Sequence, residues 1–135
     1  MKYLLALFGP EQEGGMEDVS PEDMQAMMEP WNELGRQLTE EGVYIAGEGL
    51  QPSATARTVR VGEDSSRTVT DGPFAETKEQ LGGFYLLDCE SLDDAVEWAK
   101  KVPLSPGSSV EVRQVMDYTQ FGYEDPSVKL ERTSS

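Results

Sequence analysis

Apolar and polar positions change period several times along the chain, and each change marks an element. Lys2 to Phe8 is an apolar run closed by Gly9-Pro10, which predicts a buried strand. Glu11 to Val19 is acidic and contains glycine, so it reads as a loop. Ser20-Pro21-Glu22-Asp23 then opens a helix. Ser20 caps free N–H groups, Pro21 suits the first helical position, and the acids favour the positive end of the dipole. Met24, Met27, Met28, Trp31, Leu34 and Leu38 recur at helical spacing and form one stripe. The helix is expected to reach about Glu41 and stop at Gly42, with a kink or break near Glu29 because Pro30 lies inside it.

Val43 to Leu50 predicts a strand in which Gly47 and Gly49 mark a bulge or a close approach. Ala54–Val61 and Arg67–Thr70 alternate β-branched and polar residues around Gly62-Glu63-Asp64-Ser65, the pattern of a hairpin with one wet face. Gly83 to Cys89 is apolar on both faces and therefore reads as a central strand. Ser91-Leu92-Asp93-Asp94 repeats the capping pattern before the stripe Leu92, Ala95, Val96, Ala99 and Val102, which Pro103 ends. Ser109 to Met116 is a last strand, and Asp117 to Ser135 is polar without periodicity, as expected of a tail. Two strand–helix–strand units, residues 2–50 and 83–116, thus flank a hairpin. The pattern predicts an α+β fold, a ferredoxin-like split βαβ sheet with both helices on one face. The second sheet face also needs cover, and a second copy of the chain is the simplest source.

Composition narrows the partners. The 135 residues suit one domain. With 26 acids, 11 bases and no histidine, the net charge is −15, which repels phosphate backbones and anionic membrane surfaces. Neither nucleic acid nor membrane is expected as a partner. That charge serves solubility or reflects a saline habitat. Cys89 is the one cysteine, so no internal disulfide forms and a reducing compartment follows. The apolar run from Tyr3 to Phe8 is too short for a signal peptide, and the cytoplasm is the expected location.

TDGPFAETKEQLGGFYLLDCESLDDAVEWAKKVP followed by SVEVRQVM resembles the YCII-related family, in the branch named for its Asp-Gly-Pro-Phe motif. KYLLALFG and GVYIAGEGLQPSATARTVRV also match the pattern, so the resemblance covers residues 1–118 and leaves 119–135 as tail. It implies a ferredoxin-like subunit that pairs as a dimeric α/β barrel, with a cleft on the sheet face near the dimer interface. Some relatives look like cofactor-independent lyases or dehydrochlorinases acting on hydroxylated rings through a His–Asp pair. The resemblance also implies a functional link to an extracytoplasmic-function sigma factor. This chain departs at the pair, having no histidine. An ungapped count back from Gly42 places Trp31 where those relatives carry it. Of the motif, Asp71 transfers.

Asp71 is the candidate proton-transfer residue, or else a turn anchor whose carboxylate accepts backbone N–H groups. Phe74 lines a pocket or fills core. Glu76, Lys78 and Glu79 present polar groups to a ligand or form a solvated helical turn. Gly82 and Gly83 serve the backbone, freeing φ for entry into the next strand. Arg57 and Arg113 hold an anionic ligand or pair with Glu48 and Glu111 across strands. Trp31 stacks a ring or fills core. Trp31, Glu48, Arg57, Phe74 and Lys78 are the candidate ligand contacts. Nothing supports a metal site, a Cys–His nucleophile, a P-loop or a dinucleotide fingerprint, so no cofactor is expected. Two readings remain: a non-catalytic small-ligand or regulatory dimer, favoured by the missing histidine, and a lyase or isomerase using Asp71.

Overall fold

The computed structural model describes residues 1–11 and 19–126. Most of the acidic loop (12–18) and the end of the expected tail (127–135) lie outside the described residues. The elements are β1 (Lys2–Gly9), α1 (Pro21–Glu40), β2 (Tyr44–Gly49), β3 (Arg57–Val61), β4 (Arg67–Asp71), β5 (Gln80–Asp88), α2 (Leu92–Ala99) and β6 (Ser109–Gln114). Short 3-10 turns occupy Ser53–Thr55 and Tyr118–Phe121, the second inside the stretch read as tail.

Four strands form one sheet in the order β2-β5-β1-β6, with every neighbouring pair antiparallel. β5 therefore sits between the two parallel strands of the first unit, and β1 between those of the second. This interleaving is the ferredoxin-like α+β arrangement expected from the pattern.

Side chains alternate across a strand, so β1 divides its residues between two faces. Tyr3, Leu5 and Leu7 are buried, and Tyr3 and Leu5 join Leu87, Cys89, Leu34, Leu38 and Ala95 in one cluster. Both helices thus cover the same face. Each fully buried leucine there contributes about 1.5–3 kcal/mol. Ser20 and Ser91 cap the helices by accepting from the N–H groups of Asp23 and Asp94. On the opposite face lie Leu4, Ala6 and Phe8 of β1, with Phe84 and Leu86 of β5 beside them, and neither helix reaches it. Leu4 is 36% exposed there.

Several expectations need correction. α1 runs unbroken through Pro30. Ala26 and Pro30 are both exposed, so the hydrogen bond that proline cannot donate is lost on a wet side where water replaces it. The helical stripe buries only its end. Leu34 and Leu38 are core, Met24 and Trp31 are half-buried, and Met27 and Met28 are exposed. The stripe is continuous, but the cluster engages only its C-terminal third. β5 begins at Gln80, so Gly82 and Gly83 lie inside the strand and have no positive φ. Gly82 is the extra residue of a bulge between the pairs Leu7↔Gly83 and Phe8↔Leu81. Gly83 permits close approach, since a Cβ there would meet the Glu48 carbonyl oxygen at 2.8 Å. In β2 the irregularity falls at Ile45 and not at a glycine, while Gly47 makes room for the Tyr85 ring. The hairpin is wet on both faces: Val59, Val61 and Val69 on one face are 59–62% exposed, and Arg60, Thr68 and Thr70 on the other are exposed too.

Candidate functional site

β4 ends at Asp71, and the chain turns at Gly72 with φ +95°, a conformation that suits glycine. The Gly72 N–H donates to the Ala56 carbonyl at 2.7 Å, and the Thr58 hydroxyl donates to the Gly72 carbonyl at 2.8 Å. Backbone and Thr58 therefore fix this turn. The Asp71 carboxylate is 92% exposed and accepts no backbone N–H among the described residues. The turn-anchor reading of Asp71 is thereby corrected. Its partner is Arg57, opposite it in the β3–β4 register, with Nε 3.5 Å from Oδ1.

Residues 72–79 arch from β4 to β5 without helix, contrary to the expected helical turn. The Gln80 side-chain amide holds the arch by donating to the carbonyls of Ala75 at 3.0 Å and Thr77 at 2.9 Å. The Thr77 hydroxyl donates to the Glu79 carbonyl at 2.6 Å. Facing the arch are the end of the β1 segment and the turn at Ser53. There Glu11 accepts from the Ser53 N–H and hydroxyl, both at 2.7 Å, across 42 residues of sequence.

Between these walls lies a cleft of about 660 Å³, with Glu11, Ser53, Asp71, Lys78 and Gln80 in its lining and Pro10, Ala54 and Pro73 supplying apolar surface. Its carboxylates and ammonium can meet hydroxyls and anions, and its prolines can meet a ring.

Of the residues singled out in the sequence, Asp71, Glu76 and Lys78 share this cleft. Arg57 stands behind Asp71. Phe74 is neither core nor cleft: it is 74% exposed and lies under the Arg60 guanidinium, 5.1 Å from the ring centroid. Glu48 is exposed on edge strand β2, opposite Phe84, and lies outside the lining, as does half-buried Trp31 on α1. The expected Arg57–Glu48 pair is replaced by Arg57–Asp71. Arg113 does meet Glu111, at 2.5 Å, but along β6 and not across strands. Burial holds the Cys89 thiol above its ordinary pKa, with Asp94 and Asp88 adding to the rise, as befits packing and not a nucleophile. Burial likewise raises the Tyr85 phenol. Among the described residues no cluster of histidine, cysteine and acids could hold a metal ion.

Glu11, Ser53 and Gln80 were not legible as site residues. Glu11 and Ser53 meet only through the fold, and Gln80 acts through carbonyls that no residue pattern advertises.

A family model described as the YCII-related domain matches residues 1–119. The chain is also 40% identical over 101 residues to an uncharacterized protein of Rhizobium meliloti (strain 1021), covering 73% of this chain and 81% of that protein. No helix among the described residues is long and apolar enough to cross a membrane.

Proposed function

Because the chain belongs to the YCII-related family, we propose that it is a non-catalytic homodimer that binds a small hydroxylated ring compound in the Asp71 cleft. One observation carries the reading: Asp71 and Lys78 share a cleft with apolar proline walls, while the Asp71 carboxylate stays exposed and salt-bridged to Arg57. A solvated, ion-paired carboxylate is suited to accepting hydrogen bonds from hydroxyl groups. Lys78 would meet a phenolate or carboxylate, and Pro10 and Pro73 would flank the ring. Pairing draws its support from the uncovered sheet face of Leu4, Phe8, Phe84 and Leu86, where two such faces would bury one another as in a dimeric α/β barrel.

The alternative is a cofactor-independent lyase or isomerase with Asp71 moving the proton. Its support is the place of Asp71 in the cleft wall. Two further acids, Glu11 and Glu76, line the same cleft, and both oxygens of Glu11 are engaged by Ser53.

The test is calorimetric titration of the protein and of Asp71→Asn with a panel of phenols and lactones, each compound then checked by NMR for conversion. The expected result is binding without conversion, lost in Asp71→Asn while its urea unfolding matches the parent. Asp71-dependent conversion would favour the enzyme. Ligand binding that survives the substitution would overturn the assignment of the site, and a parent that binds nothing in the panel would overturn the ligand class.

A further inference from the structure

A second concavity lies on the helix side of the sheet, between α2 and the edge strand β6, with a volume of about 580 Å³. Its walls are apolar. α2 supplies Leu92, Val96 and Ala99 at helical spacing, and β6 supplies Val110 and Val112 from alternate positions. None of the five is fully buried, and Leu92 is 50% exposed. The core thus stops short of this groove and leaves apolar surface that a ligand can cover.

The charged part of the lining has one sign. Its polar residues are Lys100, Ser105, Ser108 and Ser109, with no acid among the described residues, in a chain of 26 acids and 11 bases. Lys100 is the C-cap of α2, and the helix end is closed: the carbonyls of Val96, Trp98 and Ala99 accept from the N–H groups of Lys100, Lys101 and Val102. Lys100 meets Glu97 at 2.9 Å, but the two side chains are 66% and 68% exposed, and so open a pair holds the ammonium loosely. The Ser105 and Ser108 hydroxyls stand 3.5 Å apart, at the limit of a hydrogen bond, so their donors are not spent on each other. Acids gather at the other end of α2, where Asp93 and Asp94 occupy the first turn. Charge along the groove therefore runs from negative beside Leu92 to positive at Lys100, a rise of ~12 Å along the helix.

An apolar trough with a cation and hydroxyls at one end suits a chain with an anionic head. We propose that this groove binds a medium-chain carboxylate, its head at Lys100 and the serine hydroxyls and its alkyl chain along Leu92, Val96, Val110 and Val112. The site shares no lining residue with the Asp71 cleft, and it stands apart from the ligand assigned there.

The test is titration of isotope-labelled protein with octanoate, followed by NMR, beside octanol and octylammonium of the same chain length. Octanoate is expected to saturate in the low millimolar range, as befits a ligand of so few atoms, and to shift the methyl signals of Leu92, Val96, Val110 and Val112. Lys100→Gln alters an exposed side chain, so the fold should persist. It should bind octanoate about two- to fivefold more weakly and octanol as before. Octylammonium controls for long-range attraction: the net charge of −15 favours it everywhere, so a preference for octanoate arises only within the groove. Asp71→Asn should bind octanoate as the parent does. Loss of octanoate in Asp71→Asn, shifts that fall outside residues 92–112, or a titration that never saturates would overturn the site. Octylammonium bound more tightly than octanoate at the same methyls, or octanoate bound equally well by Lys100→Gln, would overturn the carboxylate assignment.

Discussion

Adjacent glycines in β5 are expected to respond in opposite directions to the same added methyl group. At Gly83 a Cβ would stand 2.8 Å from the Glu48 carbonyl oxygen and 3.3 Å from the Gly49 Cα. Both neighbours are backbone, so no side chain can swing away. To restore ordinary contact at 3.4 Å, β2 must retreat by about 0.6 Å. As an edge strand β2 can move, but only by stretching its ladder to β5, where each hydrogen bond contributes about 0.5–1.5 kcal/mol. Overpacking of this kind costs about 1–3 kcal/mol. At Gly82 the nearest atom to an added Cβ is the Leu7 carbonyl oxygen at 4.0 Å, and φ is not positive. Alanine there fits, and by restricting the unfolded chain it stabilises by about 0.4–1 kcal/mol. Urea unfolding of Gly83→Ala, Gly82→Ala and the parent, at one protein concentration, reads both. For a chain of this length each kcal/mol moves Tm by about 3–6 °C. A Gly83→Ala variant as stable as the parent, or a Gly82→Ala variant less stable than Gly83→Ala, would refute the reasoning.

Leu87→Ala should cost about 2–5 kcal/mol in urea unfolding, since Leu87 is fully buried at the centre of the sheet and leaves a cavity. Stability should also decline in alkali. The Cys89 thiol and Tyr85 phenol are both raised by burial, so their contribution is complete below the unfolded-state values and falls as pH rises through the folded ones. Urea midpoints should therefore drop from about pH 8 upward, and Cys89→Ala should flatten the first part of that fall. A midpoint constant into the tyrosine range would contradict it. Moderate salt should raise Tm, because a net charge of −15 repels itself and screening shortens its reach to about 10 Å at 0.1 M. A flat or falling Tm would show that the exposed ion pairs outweigh that repulsion.

The order of elements and the α+β class were already determined by the sequence, because period and caps are local. The apolar run Lys2–Phe8 closed by Gly9-Pro10, the Ser20 and Ser91 caps and the doubly apolar Phe84–Cys89 run each point to their element from within a few residues. What only the tertiary structure decided depends on contacts between distant segments. The stripe from Met24 to Leu38 is uniform in sequence, yet the core engages only Leu34 and Leu38. Gly82 and Gly83 look alike, and only the approach of β2 and the bulge against β1 separate their roles. Asp71 stood out in the sequence, but its pairing with Arg57 follows from the hairpin register. The opposite wall follows from Glu11 meeting Ser53. A motif records which groups are present, whereas a cleft depends on which surfaces the folded chain brings together, and that is fixed by packing over the whole sheet.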